Sequence, residues 1–199
     1  MRSGLFAIIV LFACYASPAA AGFDVRNQQV AMLTPARPPV NQLTPEEEAA
    51  PVNLSGVTAA SIRVLKSLRR MDMLDADGNT IRSYKISLGA NPVGRKEKEG
   101  DERTPEGLYY IDGRNPKSDY HLSLKISYPQ PTDVNRAKRN GVRPGGSIFI
   151  HGKPNGKSWM WWKYAQKYDW TNGCIAVSNE EIEEIWRLIA DGTPIEIKP

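Results

Sequence analysis

Cysteine and histidine are scarce in this chain. Among 199 residues only Cys14 and Cys174 are cysteine, and only His121 and His151 are histidine. No apolar run is long enough to span a bilayer comfortably; the best one, from Leu5 to Ala16, falls short. Charge of one sign is not massed either. Lys and Arg total 26 against 22 Asp and Glu, leaving a formal +4 scattered along the chain. A mildly basic surface suits an anionic polymer such as a cell wall. No nucleic-acid motif accompanies it, so nucleic acid is not an expected partner. The stretch "NPVGRKEKEG" has glycines and basic residues but lacks phosphate-loop spacing. Internal repeats are missing.

The N-terminus reads as a targeting segment. Arg2 supplies a short positive start, Leu5 to Ala16 the apolar region, and Ala19-Ala20-Ala21 the small residues of a cleavage site. The expectation is a signal peptide over 1–21, cut before Gly22, and an exported protein, periplasmic or secreted. Two alternatives stand beside it: an uncleaved anchor, and a lipoprotein attached through Cys14, since "LFAC" loosely resembles a lipobox. Residues 22–60 are rich in Pro, Ala and polar side chains and lack periodicity, which predicts a flexible leader, with a short helix near Pro45 to Ala50. One globular domain then covers 61–199, long enough to bury a core.

Cleavage after Ala21 leaves Cys174 alone in a compartment that oxidises thiols. A leftover cysteine there is an intermolecular bridge, a buried inert thiol or a reactive nucleophile. Before its neighbours are read, the inert thiol is the default.

Within the domain, strands are expected at about Ile62–Lys66, Arg70–Leu74, Ile81–Leu88, Leu108–Asp112, Tyr120–Tyr128 and Ser147–Gly152. "DADGN" (Asp75 to Asn79) marks a hairpin turn. "KSWMWWKYAQKYDW" reads as a helical or irregular aromatic stretch. "SNEEIEEIWRLIADG" predicts a helix, with Ser178 and Glu181 as a capping box and Ile182, Ile185, Trp186 and Ile189 as its apolar face. Gly192 is the expected helix stop, and "PIEIKP" a last strand. The predicted class is mainly β with α (α+β), with one C-terminal helix.

Gly173 before Cys174 permits a tight turn that exposes the sulfur and aims successive N–H groups at one point. An acyl-transfer nucleophile needs that geometry for its oxyanion. The thiol also needs a base, since an unperturbed cysteine has a pKa of about 8.5. His151 ends a β run before Gly152 and is one candidate; His121, inside a strand-like run, is the other, with a structural role favoured.

At these residues the chain resembles a known family. "GSIFIHG" followed by "DWTNGCIAVSN" is similar to the YkuD-type L,D-transpeptidase catalytic domain, with its His-Gly after a strand and its Ser/Thr-x-Gly-Cys. The matching residues are His151-Gly152, Thr171-Asn172-Gly173-Cys174, Ile175 and Asn179. "SYKISLGANPVGRKEKEGDERTPEG" resembles the family's strand, polar loop and Thr-Pro-x-Gly (Thr104 to Gly107), and "VLKSLRRMDMLDADG" its opening hairpin. The resemblance runs from about Ser61 to Lys198. One departure matters: many members have His where this chain has Asn172, which cannot shuttle a proton at neutral pH. That departure and "YHLSLKISYP" look like the YafK-like branch.

The resemblance implies a mixed β-sandwich with an aromatic lid segment and a mechanism. Cys174 is the nucleophile, His151 the proton donor and acceptor, and Gly173 lies in the oxyanion-hole region. Thr171, Asn172, Gly152 and Trp162 are the implied substrate-binding residues. The implied partners are peptidoglycan stem peptides, with carbapenem-type β-lactams as inhibitors. No metal or cofactor is expected, because two histidines and one mature cysteine make a zinc site improbable. The acyl group goes to an amine (a 3→3 cross-link or protein attachment) or to water, which would make the protein a carboxypeptidase or endopeptidase. Two readings from other classes are a papain-like protease, disfavoured because His151 precedes Cys174, and an inactive peptidoglycan-binding module. Arg143 is a solvated loop charge or a contact for a substrate carboxylate.

Overall fold

A computed structural model describes residues 56–199. The expected signal peptide, the leader up to residue 55, Cys14 and the short helix near Pro45 lie outside them.

Eight strands form one mixed sheet in the order β3-β2-β1-β8-β4-β5-β6-β7. The first hairpin joins β1 (Ser61–Leu65) to β2 (Arg70–Leu74), and a second turn leads to β3 (Thr80–Lys85). At that second turn the Asp75 carboxylate accepts the N–H groups of Asp77 and Asn79, and Gly78 takes φ +83°. The expected hairpin therefore forms through an Asx-type turn. β8 (Pro194–Lys198) lies parallel to β1 and antiparallel to the start of β4 (Gly107–Ser118). The second half of β4 pairs with β5 (His121–Ile126), which pairs with β6 (Ile148–His151), and β6 runs parallel to the short β7 (Ile175–Ala176). β4 is much longer than the expected five residues. Register shifts after Ile111 and Asn115 let it bend from one half of the sheet to the other.

Side chains of both halves meet in one core, including Ile62, Val64 and Met71 from one and Leu124, Ile126 and Ile150 from the other. Alternation along each strand puts these on the inner face. After β3 the chain crosses to the far edge, where Ser87 bridges Ala176 and Gly89 bridges Thr171. One segment thus links the two edge strands and pairs with backbone at the β7 edge.

Three helices accompany the sheet among the described residues: the expected C-terminal helix, the aromatic stretch and one that the sequence reading did not include. α1 (Pro131–Arg139) escaped the sequence reading because its pattern is polar and only Asp133 and Ala137 are buried. It forms because Pro131 opens it and the Asp133 carboxylate accepts the Gln130 N–H at 3.0 Å. α2 (Trp159–Ala165) is the aromatic stretch, started by Ser158, whose side chain accepts the Trp161 N–H. α3 (Asn179–Leu188) has the predicted capping box, with Ser178 and Glu181 exchanging bonds at 2.7 and 3.1 Å. Gly192 does not stop it. The helix ends at Leu188 with an extended Ile189, and Arg114 of β4 binds the Trp186 and Ile189 carbonyls. A charged fork from another strand replaces the glycine cap. Gly192 instead takes φ +87° in the turn before β8. No helix among the described residues is long and apolar enough to cross a membrane.

Candidate active site

The parallel register of β6 and β7 sets Ile150 against Ile175 and His151 against Ala176. Successive side chains alternate between faces. Ile150 and Ile175 therefore enter the core, while His151 and the residue two before Ala176, Cys174, share the opposite face. Both line a cavity of about 400 Å³ together with Tyr120, Phe149, Trp170 and Asn172. A second cavity, of about 410 Å³, touches Cys174 from the other side and is lined by Lys96, Gly145, Gly146 and Asn172. Cys174 is half-buried and unpaired. Among the described residues no hydrogen bond joins its sulfur to His151.

The turn that carries Cys174 is tied down from several directions. The buried Thr171 hydroxyl donates to the Cys174 carbonyl at 2.7 Å and accepts the Gly173 N–H at 3.1 Å. Gly173 has φ +123°, and a Cβ there would stand 2.6 Å from the Arg103 carbonyl oxygen. Only glycine allows both the conformation and that approach. Gly89 packs as closely on Glu102 and gives its N–H to the buried Thr104 hydroxyl at 3.1 Å. Asp169 accepts Arg69 from the β1–β2 turn at 2.7 Å and the Leu88 N–H at 2.9 Å. The Thr104-Pro105 corner is held by Lys66, 2% exposed, which donates to the Gly94 and Thr104 carbonyls and to Glu106. A buried ammonium needs all three partners.

His151 is 4% exposed. Its Nδ1 lies 2.7 Å from the Gly152 carbonyl oxygen. A carbonyl only accepts, so Nδ1 carries the proton and Nε2 keeps a lone pair. Burial holds the imidazole pKa down at about 4, against a smaller upward pull from that bond. The ring is neutral at pH 7. Tyr120 packs on it at 4.4 Å between centroids and Trp170 meets it edge-on at 5.9 Å, with Trp161 behind Trp170 at 5.3 Å. Burial also pushes the Cys174 thiol pKa up, while the Phe149 backbone and the positive charge of Lys96 pull it down. The resting pair is thus a neutral thiol and a neutral imidazole, ready for proton transfer as attack begins.

The structure sorts the residues singled out from the sequence. Cys174, His151, Thr171 and Asn172 come together around the cavity. Thr171 and Gly152 act on the backbone: the Thr171 hydroxyl is used within the turn, and the Gly152 carbonyl orients His151. A Cβ on Gly152 would stand 2.6 Å from Asn179 Oδ1. The Gly173 N–H is committed to Thr171, so Gly173 shapes the turn rather than offering a free donor. Trp162 is half-buried on α2 and lines neither cavity; Trp170 lies against the histidine instead. His121, at the start of β5, bonds Glu183 of α3 at 2.7 Å. It lines neither cavity. Arg143 is exposed and pairs with Glu99 at 2.7 Å. Trp170 belongs to the aromatic stretch expected to border the cleft, whereas Tyr120 and Lys96 were not identified from the sequence as site residues. Their only signals were nearness in the chain to a strand end and to a polar loop.

Residues 59–197 match the YkuD family, described as the L,D-transpeptidase catalytic domain. The protein YafK of Escherichia coli strain K12 is 27% identical over 134 residues, covering 64% of this chain and 46% of the relative. The helical cell shape determining protein Pgp2 of Campylobacter jejuni is similar in structure, with a TM-score of 0.53 and 26% identity over 71% of this chain and 48% of that one. The chain spans about half the length of these relatives. A match over most of the described domain, with the expected motif residues gathered at one cavity, shows the family: the chain belongs to the YkuD family of L,D-transpeptidase catalytic domains.

Proposed function

We propose that this protein is an exported peptidoglycan L,D-transpeptidase that works through a Cys174 thioester. The observation that carries the reading is the placement of Cys174 and His151 on one face, at one cavity, inside a domain of this family. His151 Nε2 takes the thiol proton as Sγ attacks the carbonyl of the third stem-peptide residue, a diamino acid linked to D-Ala. The S–C bond forms and the oxyanion develops beside the turn. The Gly173 N–H is already engaged, which leaves the Cys174 N–H as the donor this turn offers. The imidazolium returns its proton to the departing nitrogen, D-Ala leaves, and a thioester remains. An acceptor amine then attacks the thioester, loses a proton to His151 and releases the thiol, giving a 3→3 cross-link or attachment to a protein. Carbapenem-type β-lactams would acylate the same sulfur.

The test is mass spectrometry of products from disaccharide-tetrapeptide, with a Cys174→Ala control. A Cys174-dependent dimer lacking one D-Ala is the expected result. Cys174-dependent tripeptide without dimer would make water the acceptor and the protein a carboxypeptidase. Full activity in Cys174→Ala would end the reading.

A further inference from the structure

The charged and titratable groups around the thiol are Lys96, Glu99 and Glu102 on one side and Asp119, Tyr120 and His151 on the other. His151 is neutral at pH 7, and Glu99 and Glu102 are exposed, so water and salt screen the two carboxylates. Lys96 differs from all of these. Its side chain is 3% exposed, and it is fixed by Asp101 Oδ1 at 2.7 Å and the Lys98 carbonyl at 3.2 Å. The pair has a direction. Lys96 lines the Cys174 cavity and Asp101 does not; Asp101 lines a separate hollow with Asn91 and Arg103. Asp101 is itself held by the N–H groups of Glu97, Lys98 and Arg103. Gly145, at φ +96°, packs its backbone where a Cβ would stand 3.4 Å from Lys96 Cε. The ammonium is thus fixed and buried at the wall of the cavity that Cys174 also lines, in a setting where a charge is weakly screened.

We propose that Lys96 is a positioning residue for the nucleophile: its buried ammonium, anchored by Asp101, stabilises the negative charge that develops on Cys174 Sγ during attack. Asn172 carries no charge, and the site holds no other buried cation among the described residues. The inference rests on Cys174 being the nucleophile. It needs no particular acceptor or substrate.

The experiment is the rate of iodoacetamide alkylation against pH, read by mass spectrometry at the Cys174 peptide. Wild type is compared with Lys96→Gln and with Lys96→Gln/Asp101→Asn, each checked for folding by circular dichroism. Glutamine keeps a bond to Asp101 without the charge, and the double variant removes the unpaired carboxylate. In both, the alkylation midpoint should rise by about one pH unit, with roughly tenfold slower reaction at pH 7. A wild-type midpoint in the folded variants overturns the proposal. So does a rise in Lys96→Gln that vanishes in the double variant, because Lys96 would then act only by neutralising Asp101. No substrate is used, so failure of the transpeptidase reading would leave this result standing.

Discussion

His151 donates from Nδ1 to the carbonyl of its own neighbour, Gly152, at 2.7 Å. The bond closes over a single peptide unit and fixes the tautomer, so Nε2 is left as the base. His151→Gln should therefore lower kcat/KM by about 10²- to 10⁴-fold while the thiol remains available to small alkylating reagents. Steady-state turnover and alkylation measured side by side check this. Equal turnover in the variant would move the base role elsewhere.

The same burial makes stability depend on pH. The unfolded imidazole takes up a proton from about pH 6.5; the folded one does so only near 4. Between these values the unfolded chain binds more protons. The contribution of His151 is therefore full above pH 6.5 and is lost as pH falls toward 4. Urea midpoints at pH 7 and 4.5 should show a loss on the order of 2 kcal/mol that is smaller in His151→Gln. An identical acid dependence in wild type and variant would contradict it.

Gly173→Ala should be strongly destabilising. Its φ of +123° disfavours any side chain, and the Cβ would sit 2.6 Å from the Arg103 carbonyl oxygen. A cost of about 3 kcal/mol is expected, with loss of turnover. Gly192→Ala is the control: its φ is also positive, at +87°, but open space surrounds it. Its cost should be about 1 kcal/mol. Denaturant titration of both separates backbone strain from the clash.

Lys66→Met should act at a distance from the chemistry. The substitution leaves Glu106 and the Gly94 and Thr104 carbonyls without their buried donor. Thr104 in turn holds Gly89 against the Cys174 turn. A loss of about 3–5 kcal/mol is expected in urea unfolding. A variant as stable as wild type would show that water replaces the ammonium.

Trp170→Ala should raise KM for the stem peptide more than Trp162→Ala does, because Trp170 lines the His151 cavity and Trp162 does not. Comparable KM values for the two variants would argue against the Trp170 wall.

Much of this was legible in the amino-acid order. Alternation exposed β1 and β2, β-forming residues exposed β6, "DADGN" marked the hairpin turn, and Ser178 with Glu181 set the start of α3. These are short-range effects, settled within a few residues by sterics and local hydrogen bonds. The His-Gly and Thr-Asn-Gly-Cys motifs pointed to the pair that the fold brings to one cavity, because their chemistry is carried by residue type. Tertiary structure alone decided the rest. The end of α3 depends on Arg114, reaching in from β4, rather than on the nearby glycine. The Thr171 hydroxyl accepts the Gly173 N–H and donates to the Cys174 carbonyl, bonds inside the turn that residue type alone did not reveal. Trp170 lies against the histidine, while Trp162, on the seven-residue α2, lines neither cavity. Lys96, unremarkable in a polar run, becomes a buried charge only when the loop closes around Asp101. Local sequence determines which conformations and reactions a segment permits; long-range packing determines which of its polar groups are left free to perform them.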